Sequence, residues 1–253
     1  MNQPEPQNNS PESRPRTAII TCAVLEIEIG HFAKEHDHVL RIEVLEQGLH
    51  NTPDKLRSEA QRLIDQIEGE TDAEAIVLGY GLCSRGTEGL KTRRCKLVIA
   101  RAHDCITHLL GSKERYAEYV KERPGTYWYS PGWNQHCSMP SKERYETTYK
   151  SYVEKFGEDN AEYLMEMEQG WFKKYSHATF VELGVQVTEK DKDYTRECAD
   201  WLGWSFDHQR GDPALLKAMV GGDWDDDRFV VLDPGQTIRI TADERVIEAV
   251  EES

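Results

Sequence analysis

Two short apolar runs, Ala75–Leu78 and Leu97–Ala100, constrain this chain more than any other feature. Each is bounded by glycine or charged residues and lacks the polar alternation of a half-exposed strand. An uninterrupted run of this length suits a strand covered on both faces, as in the middle of a parallel sheet. Thr17–Val24 (TAIITCAV) reads the same way. Between these runs, Leu25–Glu35 reads as a short helix and Val39–Val44 as a second strand. Thr52-Pro53-Asp54 opens a longer helix, with a capping residue followed by proline at the first helical position. Leu56, Ala60, Leu63, Ile64 and Ile67 then share one face. Strand alternating with helix predicts an α/β fold: a mostly parallel sheet with helices on both faces.

Farther along, Cys105–Lys121 is expected to form a helix capped by Asp104, Gly125–Tyr129 a fifth strand, and residues 131–137 a loop. Residues 141–175 read as a charged helical insertion studded with aromatics. Val181–Val187 suits either a strand or a helix end. Asp193–Leu202 and Pro213–Val220, the latter capped by Asp212, read as helices. Trp204–His208, Arg228–Leu232 and Thr237–Thr241 read as strands. Residues 1–16, rich in Pro, Asn and Glu, are expected to be a disordered leader. Residues 17–253 then form a single α/β domain. Within it the pattern allows sub-lobes 17–140 and 178–253, the second a smaller α/β unit, joined by the helical segment 141–177.

The formal net charge of −15 argues against nucleic acid as a partner, because like charges repel. No apolar run approaches the roughly 18 residues that a membrane span needs. Six cysteines without a secretory signal suit reduced thiols in a cytoplasmic protein.

The candidate chemistry lies just beyond the strands. Cys22, Cys83 and Cys105 each fall at or shortly after the end of an expected strand, and parallel strands end on one edge of a sheet. Ligands of open α/β sheets bind at that edge. Three thiolates with an open fourth position suit zinc or a [4Fe-4S] cluster with one iron left for substrate. His103 is a fourth ligand or an acid–base group. Gly79, Gly81 and Gly86 let backbone approach a ligand, although neither a GxGxxG nor a GxxxxGK motif is present here. Arg85 and Arg101 flank the same edge and suit a small-molecule anion. Trp133 is an apolar wall, with His136 or Cys137 near it. Cys95 precedes its strand, and Cys198 sits on a helix; both are structural.

GYGLC, RAHDCITHLLGSKERY, GTYWYSPGW and GDPALLKAMVGGDWDDDRFVVLDPG together resemble the DUF1638 family, from about Thr17 to Ile240. Cys22, Cys83, His103 and Cys105 stand in segments that match the family pattern. The family's name carries no role. Its members are similar to proteins of methanogens and other anaerobes found near corrinoid methyl-transfer systems. The resemblance therefore implies metal- or cobamide-linked chemistry and a corrinoid methyl-transfer partner protein. Two functions follow as expectations: a metal-dependent transferase or lyase acting on a small molecule, or a non-catalytic metal or cofactor delivery protein.

Overall fold

A computed structural model describes residues 14–251, so most of the expected leader lies outside the described residues. In chain order the elements are β1 (Thr17–Cys22), α1 (Glu26–Ala33), β2 (Val39–Leu45), α2 (Pro53–Glu70), β3 (Ala75–Gly79) and β4 (Lys96–Ala100). Then come α3 (Cys105–Leu110), α4 (Lys113–Glu122), β5 (Thr126–Tyr129), α5 (Pro131–His136), α6 (Lys142–Phe156), α7 (Glu158–Gln169) and β6 (His177–Glu182). The chain closes with α8 (Glu189–Leu202), β7 (Ser205–Arg210), α9 (Ala214–Gly221), β8 (Phe229–Leu232), β9 (Gln236–Ile240) and β10 (Ile247–Glu251).

The first sheet has the order β2-β1-β3-β4-β8. Its first four strands are parallel and β8 is antiparallel to β4. Every residue of β1 and β3 is buried, as the uninterrupted apolar runs require. A second sheet, β5-β6-β7, is wholly parallel, and β9 pairs with β10 as a separate hairpin. The fold is α/β, with sheet membership unlike that expected: β5 belongs with β6 and β7, while β8 returns to the first sheet.

Local chemistry explains the other differences. The expected helix 105–121 is two helices, because Gly111 turns left-handed at φ 93° and Ser112 caps α4 through the Arg115 amide. The expected loop at 131–137 is helical, since Ser130 accepts from the Trp133 amide and Pro131 fills the first position. Of Val181–Val187, Val181 and Glu182 close β6, while residues 183–187 form a bend that is neither strand nor helix.

One polar residue sits oddly in this apolar interior. Glu28, on α1, is 1 % exposed, and its Oε2 has no hydrogen-bond partner. Burial raises its carboxyl from 4.5 to about 7. The folded state therefore keeps a proton that the unfolded chain releases. Stability is expected to fall by about 3 kcal/mol as pH rises between those values, then level off. Glu28→Gln should abolish this slope, which urea midpoints measured from about pH 5 to about pH 8 would reveal.

Candidate functional site

The chain runs from β1 outward to β2, then crosses back over β1 to place β3 on its other side. The carboxyl ends of β1 and β3 thus flank a topological switch point, where open α/β sheets leave a crevice. Cys22 is the last residue of β1. Cys83 lies four residues past β3 and Cys105 five past β4, at the start of α3. All three line a cavity of about 520 Å³ at this edge, a size typical of small-molecule sites.

The loops beyond the strands are pinned to one another. The amides of Leu82 and Cys83 donate to the carbonyls of Ala102 and His103 at 2.8 and 3.1 Å. This holds Cys83 beside Cys105. Gly81 makes the approach possible: a Cβ there would lie 2.7 Å from both the Ala102 carbonyl oxygen and the Asp104 amide. Its bareness serves backbone packing, and it does not line the cavity, contrary to the expected ligand contact.

Cys83, Ser84 and Arg85 follow one another at φ 44°, 55° and 72°, closed by the Gly86 amide donating to the Cys83 carbonyl at 3.0 Å. Left-handed backbone costs a non-glycine residue about 1–2 kcal/mol. Such strain persists only where surroundings impose it, and it collects at functional sites. Ser84→Gly is expected to stabilise the protein by about 1 kcal/mol, read as a raised urea midpoint.

Cys105 is buried, and the neighbouring Cys22 and Cys83 thiols, reinforced by burial, push its own thiol well above the ordinary range. Cys22 is held below its ordinary value by the Cys105 thiol and also by the Val24 amide, although burial opposes this. Tyr80, 2 % exposed, sets its hydroxyl beside Cys22, and the hydroxyl finds no well-aligned partner. Burial keeps this phenol protonated. Among the described residues, no set of three or more His, Cys, Asp or Glu side chains already has the spacing of an ion cage.

His103 lines the cavity from an exposed position. Asp104 lines it too, while its carboxylate caps α3 through the Ile106 and Thr107 amides and accepts the Tyr116 hydroxyl at 3.2 Å. Trp133 forms part of the wall. Its helix seats against the Val24 carbonyl so closely that a Cβ on Gly132 would lie 2.1 Å from that oxygen.

The arginines are elsewhere. The Arg101 side chain is 3 % exposed and points into the C-terminal region. Nε donates to the Asp226 carbonyl at 2.7 Å, the Asp226 carboxylate accepts at 2.8 Å, and the Arg245 and Ile247 carbonyls complete the set. Arg85 is 67 % exposed and pairs with Glu88 at 2.8 Å. Neither guanidinium lines the cavity, so the expected anion clamp is corrected: both groups are already satisfied by other partners. Cys95 lies at the opposite edge with its thiol on Glu68, and Cys198 packs beside Tyr129 and Tyr194.

The sequence reading missed His50 and most of the aromatic wall. His50 lines the cavity from a 3₁₀ turn after β2, its Nδ1 on the Gln47 carbonyl at 2.7 Å, which leaves Nε2 as the acceptor nitrogen. Tyr116, Tyr127, Trp128 and Tyr175 also line it. No periodicity marks them, since they come from α4, β5 and the segment before β6.

The family described as "Protein of unknown function (DUF1638)" matches residues 44–220. The matched segment contains Cys83, His103 and Cys105 and begins after Cys22, narrower than the resemblance noted above. No curated protein and no solved structure matches the chain.

Proposed function

The chain belongs to the DUF1638 family, whose description assigns no role, and we propose that it is a metal-dependent enzyme whose centre is held by Cys22, Cys83 and Cys105. The observation that carries this reading is the meeting of three thiols, from three separate strand ends, at the wall of a small-molecule-sized cavity. The donor types suit zinc or an iron–sulfur cluster with one position free for substrate; because no three such side chains among the described residues stand at ion-holding spacing, the sulfurs would draw closer together on binding. The Tyr80 hydroxyl, buried without a partner of its own, lies beside Cys22, in the position of an outer partner of a thiolate centre. Ligation requires the thiols to lose their protons. The strained turn at Cys83–Arg85 is further support, because it sets the position of one sulfur. The centre would supply Lewis acidity or activate a bound thiol. His103 or His50 would move protons.

Protein purified without oxygen should carry zinc or iron in stoichiometric amount, measured by elemental analysis. Absence of both metals, together with failure to take up either on reconstitution, would sink the reading.

A second reading has its own observation. Cys22 is the residue before a 3₁₀ turn that leads into α1, and the Cys105 thiol beside it holds its own thiol below the ordinary value, a setting that favours thiolate. Cys22 then acts as a nucleophile without metal. Iodoacetamide labelling of Cys22 in metal-free protein, faster than labelling of Cys83, is the expected result for that case.

A further inference from the structure

The cavity's own lining bears on the class of molecule it takes, given the reading above that this is the substrate site. Sharing the lining with the thiols are the rings of Tyr116, Tyr127, Trp128, Trp133 and Tyr175. Trp128 and Tyr116 stack with centroids 6.3 Å apart and planes at 25°, and Trp133 lies 6.1 Å from His50. The carboxyl group in the lining is that of Asp104. Among the described residues, no lysine or arginine lines the cavity, and the two guanidiniums of this sheet edge are bound to Glu88 and Asp226. An anion entering here would lose its hydration beside a carboxyl and three thiols, with no lysine or arginine to meet it and only the His50 and His103 rings as polar partners. A cation would meet aromatic rings, whose faces attract positive charge, and the Asp104 carboxyl, which the Ile106 and Thr107 amides and the Tyr116 hydroxyl hold in place. The overall charge of −15 favours the same sign of ligand at longer range.

We infer that the cavity binds a small organic cation, an alkylated ammonium group held against Trp128 and its neighbouring rings with Asp104 beside it. The aromatic rings select the charged, apolar head, and the thiols share the cavity with whatever the head carries. The Arg-clamped anion expected from sequence has no place in this arrangement.

The test is calorimetric titration of the full chain with choline, with its uncharged tert-butyl analogue in which carbon replaces nitrogen, and with the matching tert-butyl carboxylate. Choline is expected to bind at least about tenfold more tightly than the uncharged analogue, and the carboxylate more weakly still. Trp128→Leu should weaken choline about tenfold. Asp104→Asn, which keeps an N-cap oxygen for α3, should weaken choline while leaving the uncharged analogue unaffected. Equal binding of choline and its uncharged analogue would overturn the inference, as would tighter binding of the carboxylate. If Trp128→Leu fails to fold, the three-ligand comparison on the unaltered chain still decides. Repeating the titrations after chelation separates the two proposals. Choline preference in a protein that never takes up metal sustains this inference and defeats the metal reading. Metal uptake without choline preference does the reverse.

Discussion

Cys83→Ser is expected to lower metal affinity more than a hundredfold, because outer partners of a metal ligand alone are worth about 10–100-fold and Cys83 is proposed as a direct ligand. Cys22→Ser and Cys105→Ser should do the same. Cys95→Ser, whose thiol rests on Glu68 at the far edge of the sheet, should leave metal content untouched. This pattern across four cysteines is more informative than any single loss. A structural thiol, removed from a packed interior, lowers the unfolding midpoint and leaves stoichiometry unchanged, whereas a ligand lowers stoichiometry in protein that retains its circular dichroism. Equal metal content in all four variants would falsify the ligand assignment.

Arg101→Met should destabilise the protein by about 3–5 kcal/mol, the usual cost of breaking a buried, hydrogen-bonded charge. The guanidinium is enclosed among the Asp226, Arg245 and Ile247 carbonyls, and methionine restores none of those bonds. The bound segment includes β10 and the turn before β8, so the loss should be felt as earlier unfolding of the C-terminal region in hydrogen exchange. Metal content and choline affinity of the folded variant should match the parent. A substrate-binding arginine would behave oppositely, with ligand affinity falling and stability barely moving.

These two residues mark what could and could not be read from sequence. The strand that delivers Cys22 and those preceding Cys83 and Cys105 were legible because apolar runs bounded by glycine or charge fit buried parallel strands. Their shared edge then follows from topology. Arg101 looked like an edge residue for the same reason. Its partners lie more than a hundred residues later, at Asp226, Arg245 and Ile247, and local pattern carries no trace of so distant a pairing. The break at Gly111 was written in the chain as Leu110-Gly111-Ser112, a helix stop followed by a cap, but the apolar run on either side masked it. Ser130-Pro131 likewise announced α5. β10 follows Thr241 without a strong alternation, and its pairing with β9 supplies the order its own sequence does not.

All three thiols are carried by the first 105 residues, whereas the aromatic side of the cavity comes from residues 116–175 and β4 waits for Phe229–Leu232 to cover its free edge. A chain emerging from the ribosome therefore completes its set of three thiols before it builds the aromatic part of the lining. Domains fold from the N-terminus as synthesis proceeds, and an uncovered strand edge invites wrong pairing until its partner arrives. If the thiols hold a metal as proposed, the order of synthesis would give them an interval of access to a metal donor before residues 116–175 complete the cavity.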